Sequence, residues 1–256
     1  MSYQVPDLSE VVAGQPKPLL FATVSGAHLY GFPSRNSDVD VRGVHVLPVA
    51  EVVGLRPGPD TLQRMWMRDD VELDLVTHDV LKFSRLLLRP NGYVLEQLMS
   101  PLVVHTTPAH DEMRALAPAC MTTRHAHHYH GFARNQWRQF ERTGELKPLL
   151  YTFRALLTGT HLMRTGEVLA NLPELTGTHH GPDYLPDLIE AKALGEHRAL
   201  EGVPQRPTAS RLLDDVTHWH DTLDAARQAS TLPPIPSAEQ ALDDLVVALR
   251  LTSPHT

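Results

Sequence analysis

Cysteine is nearly absent from this sequence: Cys120 is the single one among 256 residues. One thiol cannot close an internal disulfide, so no disulfide framework holds the chain together, and a reducing compartment suits it. Long apolar runs are missing as well. No stretch approaches the roughly 18 apolar residues that span a bilayer. The opening MSYQVPDLSEVV has neither a basic leader nor an apolar signal core, so the expected location is the cytoplasm. Internal repeats and low-complexity tracts do not occur. Positive charge is in deficit, with 23 Lys and Arg against 30 Asp and Glu and a net charge of -7. That balance argues against a protein that coats nucleic acid over its whole surface. The deficit is uneven, however. Between residues 114 and 164, Arg114, Arg124, Arg134, Arg138, Arg142, Lys147, Arg154 and Arg164 face only Glu141 and Glu145, so this stretch is +6 and the remainder -13.

Apolar residues make up 42% of the chain, enough for a core in one large domain or two small ones. From about 19 to 76 they come in short β-branched runs, LLFATVSG, DVDVRGVHVLP and VELDLV, separated by turn formers such as FPSRNS and RPGPD. These read as strands. After Thr77 the texture becomes helical, first DVLKFSRLLLRP up to Pro90, then GYVLEQLMS, then a helix opened by Thr107 and Pro108 and running to about Ala117. Helices alone are expected from there on, at roughly 122–143, 147–165, 182–194, 210–229 and 238–251. The last opens with Ser237 and Gln240 at capping-box spacing and lines up Leu242, Leu245, Val246 and Leu249. Mixed elements followed by helices predict an α/β (α+β) domain over residues 1–115 and a helical domain over 116–256.

The stretch SGAHLYGFPSRNSDVDVRGV, residues 25–44, carries the chemistry. Side chains alternate along a strand, so Asp38, Asp40 and Arg42 share one side while Val39, Val41 and Val44 are expected to face the core. Two carboxylates at i and i+2 can grip one cation. A hard divalent ion such as Mg²⁺ takes oxygen ligands and is commonly held by one or two carboxylates together with substrate phosphates, which makes a nucleotide the expected partner. Gly26 directly follows the apolar run LLFATVS, where a missing side chain lets backbone N–H groups approach a phosphate. Two ions about 3.5–4 Å apart, as in-line phosphoryl chemistry commonly uses, call for a third carboxylate. VELDLV offers Asp74, which a neighbouring strand would bring beside Asp40, with Glu72 in reserve. Arg42 reads either as a counter-ion to these carboxylates or as a phosphate contact. Ser37 and Asn36 suit a turn, and His28 and Tyr30 suit packing positions.

This arrangement resembles the DNA polymerase beta superfamily of nucleotidyltransferases, in which a glycine turn precedes an Asp-x-Asp or Asp-x-Glu pair by about ten residues and a third carboxylate lies on a later strand. Here ten residues separate Ala27 from Asp38. More narrowly, the YG pair, Ser-Asp and the Arg-Gly after the carboxylates are similar to the branch labelled predicted nucleotidyltransferase, or RNA repair pathway DNA polymerase beta family. THDVLKF, NGYVLEQL and LKPLLYTFRALLTGTHLMRTG extend the likeness over about residues 20–180. One position departs from the pattern: Ala27 stands where the superfamily usually has Ser or Gly, and Ser25 is the possible substitute. The resemblance implies a small mixed sheet with flanking helices, then an all-helical C-terminal domain. It implies transfer of NMP from an NTP to an acceptor hydroxyl with release of pyrophosphate, dependent on two Mg²⁺ or Mn²⁺ ions. Asp38, Asp40 and Asp74 are the expected metal ligands and catalytic residues. Ser25, Gly26, Ser37, Arg42 and Lys147 are the expected nucleotide contacts, Lys147 because KPLLYTFR falls on the family's basic helix.

Arg134, Arg138 and Arg142 recur at i, i+4 and i+8, so they share a helical face that is either solvated or turned toward an RNA acceptor. A protein or small-molecule hydroxyl is the other acceptor class. Two alternative functions stay open: a catalytically degenerate nucleotide- or RNA-binding protein of the same fold, suggested by Ala27, and a histidine-based metal hydrolase, suggested by HAHHYH at 125–130 and by sixteen histidines in all.

Overall fold

The computed structural model describes residues 7–68 and 70–252. In chain order the elements are α1 (Ser9–Ala13), β1 (Leu19–Val24), α2 (Gly26–Leu29), β2 (Val39–His45), α3 (Ala50–Val53), β3 (Thr61–Arg68), β4 (Val71–Asp79), α4 (Val80–Leu87), α5 (Gly92–Met99) and β5 (Val103–His105). Helices follow: α6 (Pro108–Cys120), α7 (His125–Thr143), α8 (Leu146–Thr165), α9 (Leu172–His179), α10 (Leu185–Ala193), α11 (Ala209–Ala229) and α12 (Glu239–Thr252), with a short 3-10 turn at Leu200–Gly202. The chain divides into two compact units that interleave in sequence. One, here the sheet unit, takes the described residues up to Gly26, then 38–121 and those from Ile235 onward; the other, the helical unit, takes 27–37 and 122–234.

The sheet unit is built on a mixed five-stranded sheet of order β3-β4-β2-β1-β5. β2 and β4 run parallel, and the remaining pairs are antiparallel. One face carries the main core: Leu19, Ala22 and Val24 of β1, Val39 and Val41 of β2, and Leu73 and Leu75 of β4 pack together with Leu8 and Val11 at α1. A register shift between Leu19 and Phe21 turns Phe21 to the opposite face, where it stacks on His110 at 4.3 Å and meets Phe83 edge-on at 5.5 Å. Val44 pairs with Phe21 and so lies on that second face, buried, rather than beside Val39 and Val41 as expected, because alternation from Val41 puts it there. Gly43 is needed between them, since a Cβ there would stand 2.7 Å from the Phe21 carbonyl oxygen. At the end of β4, Asp79 caps α4 by accepting from the Leu81 N–H at 3.0 Å. Arg250 of α12 donates to the same carboxylate at 2.5 Å and to the Leu47 carbonyl at 2.6 Å, which fastens the last described helix to the sheet unit.

The helical unit centres on α8, which is buried from Pro148 to Met163 apart from Tyr151. Gly144 ends α7 in the left-handed region at φ 67, where glycine carries no steric penalty, and α8 begins two residues later. Gly159 lets α7 and α11 close on α8: a Cβ would meet Tyr129 at 2.9 Å and Leu223 at 3.1 Å. Segment 27–37 is held in this unit by backbone bonds from Leu172 N–H to the Tyr30 carbonyl and from Arg35 N–H to the Ala193 carbonyl. Beneath it the buried Arg154 sets its guanidinium 3.8 Å from the Tyr30 ring centre.

Candidate active site

The parallel pairing of β2 and β4 puts Asp40 directly opposite Asp74, with Val39 opposite Leu73 and Val41 opposite Leu75. Apolar neighbours fix the register, because a slip by one residue would turn both valines and both leucines out of the core. Two carboxylates are thereby forced side by side on the polar face. Arg42 answers their charge: its Nη2 donates to Asp40 at 2.5 Å and to Asp74 at 2.8 Å, and its Nη1 donates to the Asp74 backbone carbonyl at 2.7 Å. The other carboxylate oxygen of Asp74, Oδ1, is buried with no hydrogen-bond partner, as is the Ser25 hydroxyl. Gly26 abuts the same pair. With φ at +62 and the position of its missing Cβ only 1.9 Å from Asp40 Oδ2, no other residue fits there unchanged. The N–H of Ser25 donates to the Asp40 carbonyl at 2.8 Å, which ties the glycine turn to β2.

Asp40 and Asp74 therefore suit a hard cation as a pair, through adjacent charges and an uncommitted buried oxygen on Asp74. Asp38, the residue before β2, is partly exposed and takes no part in the ion pair. Glu72 is exposed, opposite Met67 on the β3 side. Among the described residues no group of three or more His, Cys, Asp or Glu is gathered so as to hold a metal ion.

Within the helical unit, Ser37 and Lys147 meet at Glu196, a residue that no sequence pattern singles out. Lys147 donates to Glu196 Oε1. Its Oε2 accepts from Ser34 at 2.7 Å, Ser37 at 3.1 Å and the fully buried Lys192 at 2.8 Å. Burial pushes the Glu196 carboxyl up, but the hydrogen bonds from Lys147, Lys192 and Ser34 outweigh it and hold the carboxyl at about 2. The only sequence trace of Lys192 and Glu196 is their i, i+4 spacing, which reads as an ordinary surface pair.

The remaining basic positions separate. Arg134, Arg138 and Arg142 are all exposed on α7, whereas Arg154, expected on the same side of its helix as Lys147, is buried among the Tyr30, Tyr151 and Phe132 rings. Ala27 is buried at the start of α2. Among the histidines, His45, His110, His125, His130 and His161 are buried. Burial drives His125 down to about 4, and burial together with His130 drives His220 to about 4. His130 and His220 stack, with their Nδ1 atoms 2.8 Å apart, which suits one donating and one accepting neutral ring.

A family model described as RNA repair pathway DNA polymerase beta family matches residues 3–248. The chain belongs to that family. Membership covers nearly the whole sequence, so both units fall within it, and the family is one of polymerase beta-type nucleotidyltransferases. Among curated relatives, the uncharacterized protein MJ0002 of Methanocaldococcus jannaschii is 30% identical over 154 residues, 58% of this chain. That match spans 61% of the archaeal protein's own length. The uncharacterized protein YcgL of Bacillus subtilis is 24% identical over 206 residues, covering 77% of this chain and 78% of its own. A solved nucleotidyltransferase-like protein from Exiguobacterium sibiricum aligns with 96% of this chain and 78% of its own at 14% identity and a TM-score of 0.33, too distant a likeness to bear on the site. No helix among the described residues is long and apolar enough to cross a membrane.

Proposed function

We propose that this family member transfers an NMP from an NTP to an acceptor hydroxyl and releases pyrophosphate. The observation that carries the reading is the forced pairing of Asp40 with Asp74 against Gly26, with one Asp74 oxygen buried and uncommitted. Asp40 and Asp74 would hold Mg²⁺ or Mn²⁺, with Asp38 joining them for a second ion. When bound, such ions neutralise triphosphate charge and lower the pKa of an acceptor hydroxyl. The protein's own groups do the rest. Gly26 gives a phosphate close access to backbone N–H groups, with the Ser25 hydroxyl buried beside it and available as a donor. Arg42 balances the carboxylates, and with a cation between them it would be available as a phosphate contact. Ser37 and Lys147 contact nucleotide phosphate.

The description of the family supports an RNA hydroxyl as acceptor, and the exposed Arg134, Arg138 and Arg142 face is the matching basic surface. A protein or small-molecule hydroxyl would use the same chemistry. The engagement of both carboxylates by Arg42 favours one second reading, a nucleotide binder that does not turn over. Titration with NTP and Mg²⁺ followed by a pyrophosphate assay separates the two: binding with release of pyrophosphate supports the transferase, and binding without release supports the idle binder.

A further inference from the structure

β3 adjoins the carboxylate pair within the sheet unit, and the proposed reaction makes no use of it. Its register with β4 sets Met65 opposite Asp74 and Met67 opposite Glu72, and Asp74 in turn stands opposite Asp40. Trp66 packs against the main core, so alternation turns Met65 and Met67 to the other face, the one that carries the carboxylates. Both methionines are exposed, at 59% and 61%. Edge strands are commonly guarded by charge. On β3 the charged residues Arg64, 4.6 Å from the Trp66 ring centre, and Arg68 belong to the Trp66 side, and the side beside Asp74 presents two thioethers instead.

Four features therefore lie in order across the sheet: the Gly26 turn, Asp40, Asp74 and Met65. Gly26 abuts Asp40 from the β1 side, where the Ser25 N–H donates to the Asp40 carbonyl. The glycine turn and the methionines thus flank the carboxylate pair on opposite sides. With a triphosphate over the glycine turn, the side left for the acceptor is β3.

The chemistry of that side suits a flat, uncharged ring. Next to Met65 and Met67 the same face offers the exposed Gln63 of β3 and the exposed Glu72 of β4, and among the described residues of these two strands it has no Lys or Arg. A phosphate would meet no cation there. A nucleobase would find two polarizable sulfurs for its face and an amide and a carboxylate for its polar edge. Met65 is one strand spacing from Asp74, about 4.8 Å. That is close to the distance from the middle of a nucleobase to the hydroxyls of its own ribose, so a base resting on Met65 brings a hydroxyl to the carboxylates. An extended peptide added to the outer edge of β3 would run two spacings from Asp74, about 9.6 Å, with Met65 in between.

We infer that Met65 and Met67 form a platform for the terminal base of an RNA acceptor, holding its ribose hydroxyl toward Asp74. The inference rests on the NMP-transfer reading above for the reaction that follows, but not for the binding itself.

The test uses the full chain with isotope-labelled methionine methyl groups, in chelator and without NTP, and titrates oligoadenylate. The Met65 and Met67 methyl resonances, assigned with Met65→Leu and Met67→Leu, should move upfield under the ring current of the base. The same oligomer lacking both terminal bases should leave them in place. Met65→Ala combined with Met67→Ala should weaken intact oligoadenylate about five- to tenfold, with no further loss for the oligomer lacking its terminal bases. In a transfer assay the same double substitution should raise KM for RNA and leave KM for NTP unchanged. Methyl resonances that stay put with intact oligoadenylate, or that move equally with the base-free ends, would overturn the platform. Shifts produced by an extended serine peptide and not by oligoadenylate would overturn it too, and assign the edge to a protein acceptor. Base-dependent shifts with no pyrophosphate released from any NTP would leave the platform standing and sink the transferase reading. Label transferred to RNA with unmoved methionines would do the reverse.

Discussion

Arg42→Ala should make the protein less stable without metal and responsive to magnesium. Arg42 Nη2 lies 2.5 Å from Asp40 Oδ1 and 2.8 Å from Asp74 Oδ2, so those oxygens are at most about 5.3 Å apart. At an effective dielectric of about 20, two unit charges at that separation repel by about 3 kcal/mol once the guanidinium is gone. For a chain of this size that corresponds to a fall in Tm on the order of 6–12 °C. Mg²⁺ or Mn²⁺ should then restore much of the loss, because the ion replaces the missing positive charge between ligands it already suits. The natural sequence should respond less, since an ion must first displace Arg42. Thermal denaturation with chelator and across a magnesium series measures both effects. A control is available in Asp40→Asn combined with Arg42→Ala, which removes the repulsion and should regain metal-free stability while losing the magnesium response. An Arg42→Ala protein that melts normally in chelator, or one that gains from magnesium no more than the natural sequence does, would refute the reasoning.

Gly26→Ala should cost about 1–2 kcal/mol for its left-handed backbone alone, plus a clash with Asp40 Oδ2. Chemical denaturation reads the cost, and Asp40→Ala should relieve the clash portion; strictly additive losses would contradict the contact. Neutralising Arg134, Arg138 and Arg142 together should leave stability within about 0.5 kcal/mol and reduce the salt dependence of RNA binding by nearly one log unit per lost phosphate contact. An unchanged slope would assign that face to solvent. The Glu196 carboxyl is lowered from 4.5 to about 2 in the folded protein, so its stabilisation is complete above about 4.5 and disappears as pH falls through about 2. Stability measured against pH should therefore converge for the natural sequence and Glu196→Gln in acid and diverge above about 4.5; parallel curves would show that the carboxyl is not held down.

The carboxylate pair was legible because it is written in local alternation. DVDVRGV and VELDLV each set apolar residues on one side, and that pattern both makes the strands and turns Asp40 and Asp74 to the same face. β3 was not, since Thr61–Arg68 alternates Leu62, Arg64, Trp66 and Arg68 against Thr61, Gln63, Met65 and Met67, neither of them cleanly apolar. It is an edge strand with Met65 and Met67 exposed, so burial imposes little pattern on it. β5 has three residues, too few for a period to register. The Lys192–Glu196 cluster escaped for a different reason. A buried lysine has the same letter as a solvated one, and only the packing of 27–37 against α8 and α10 reveals that two serines and a second lysine share its carboxylate. Arg154 is similar: seven residues from Lys147, it shares a helical side by spacing, yet it is buried against the Tyr30, Phe132 and Tyr151 rings.

The most direct test of the central claim supplies NTPs labelled at the α-phosphate, Mg²⁺ and a mixture of RNAs, and follows the label in the natural sequence and in Asp40→Asn. The expected result is label joined covalently to an acceptor with one pyrophosphate released per transfer. Asp40→Asn, nearly isosteric and still folded, should lose that transfer to below a few per cent. Transfer that persists in Asp40→Asn, or NTP that binds the natural sequence without label ever leaving the nucleotide, would contradict the assignment of this carboxylate pair to nucleotidyl transfer.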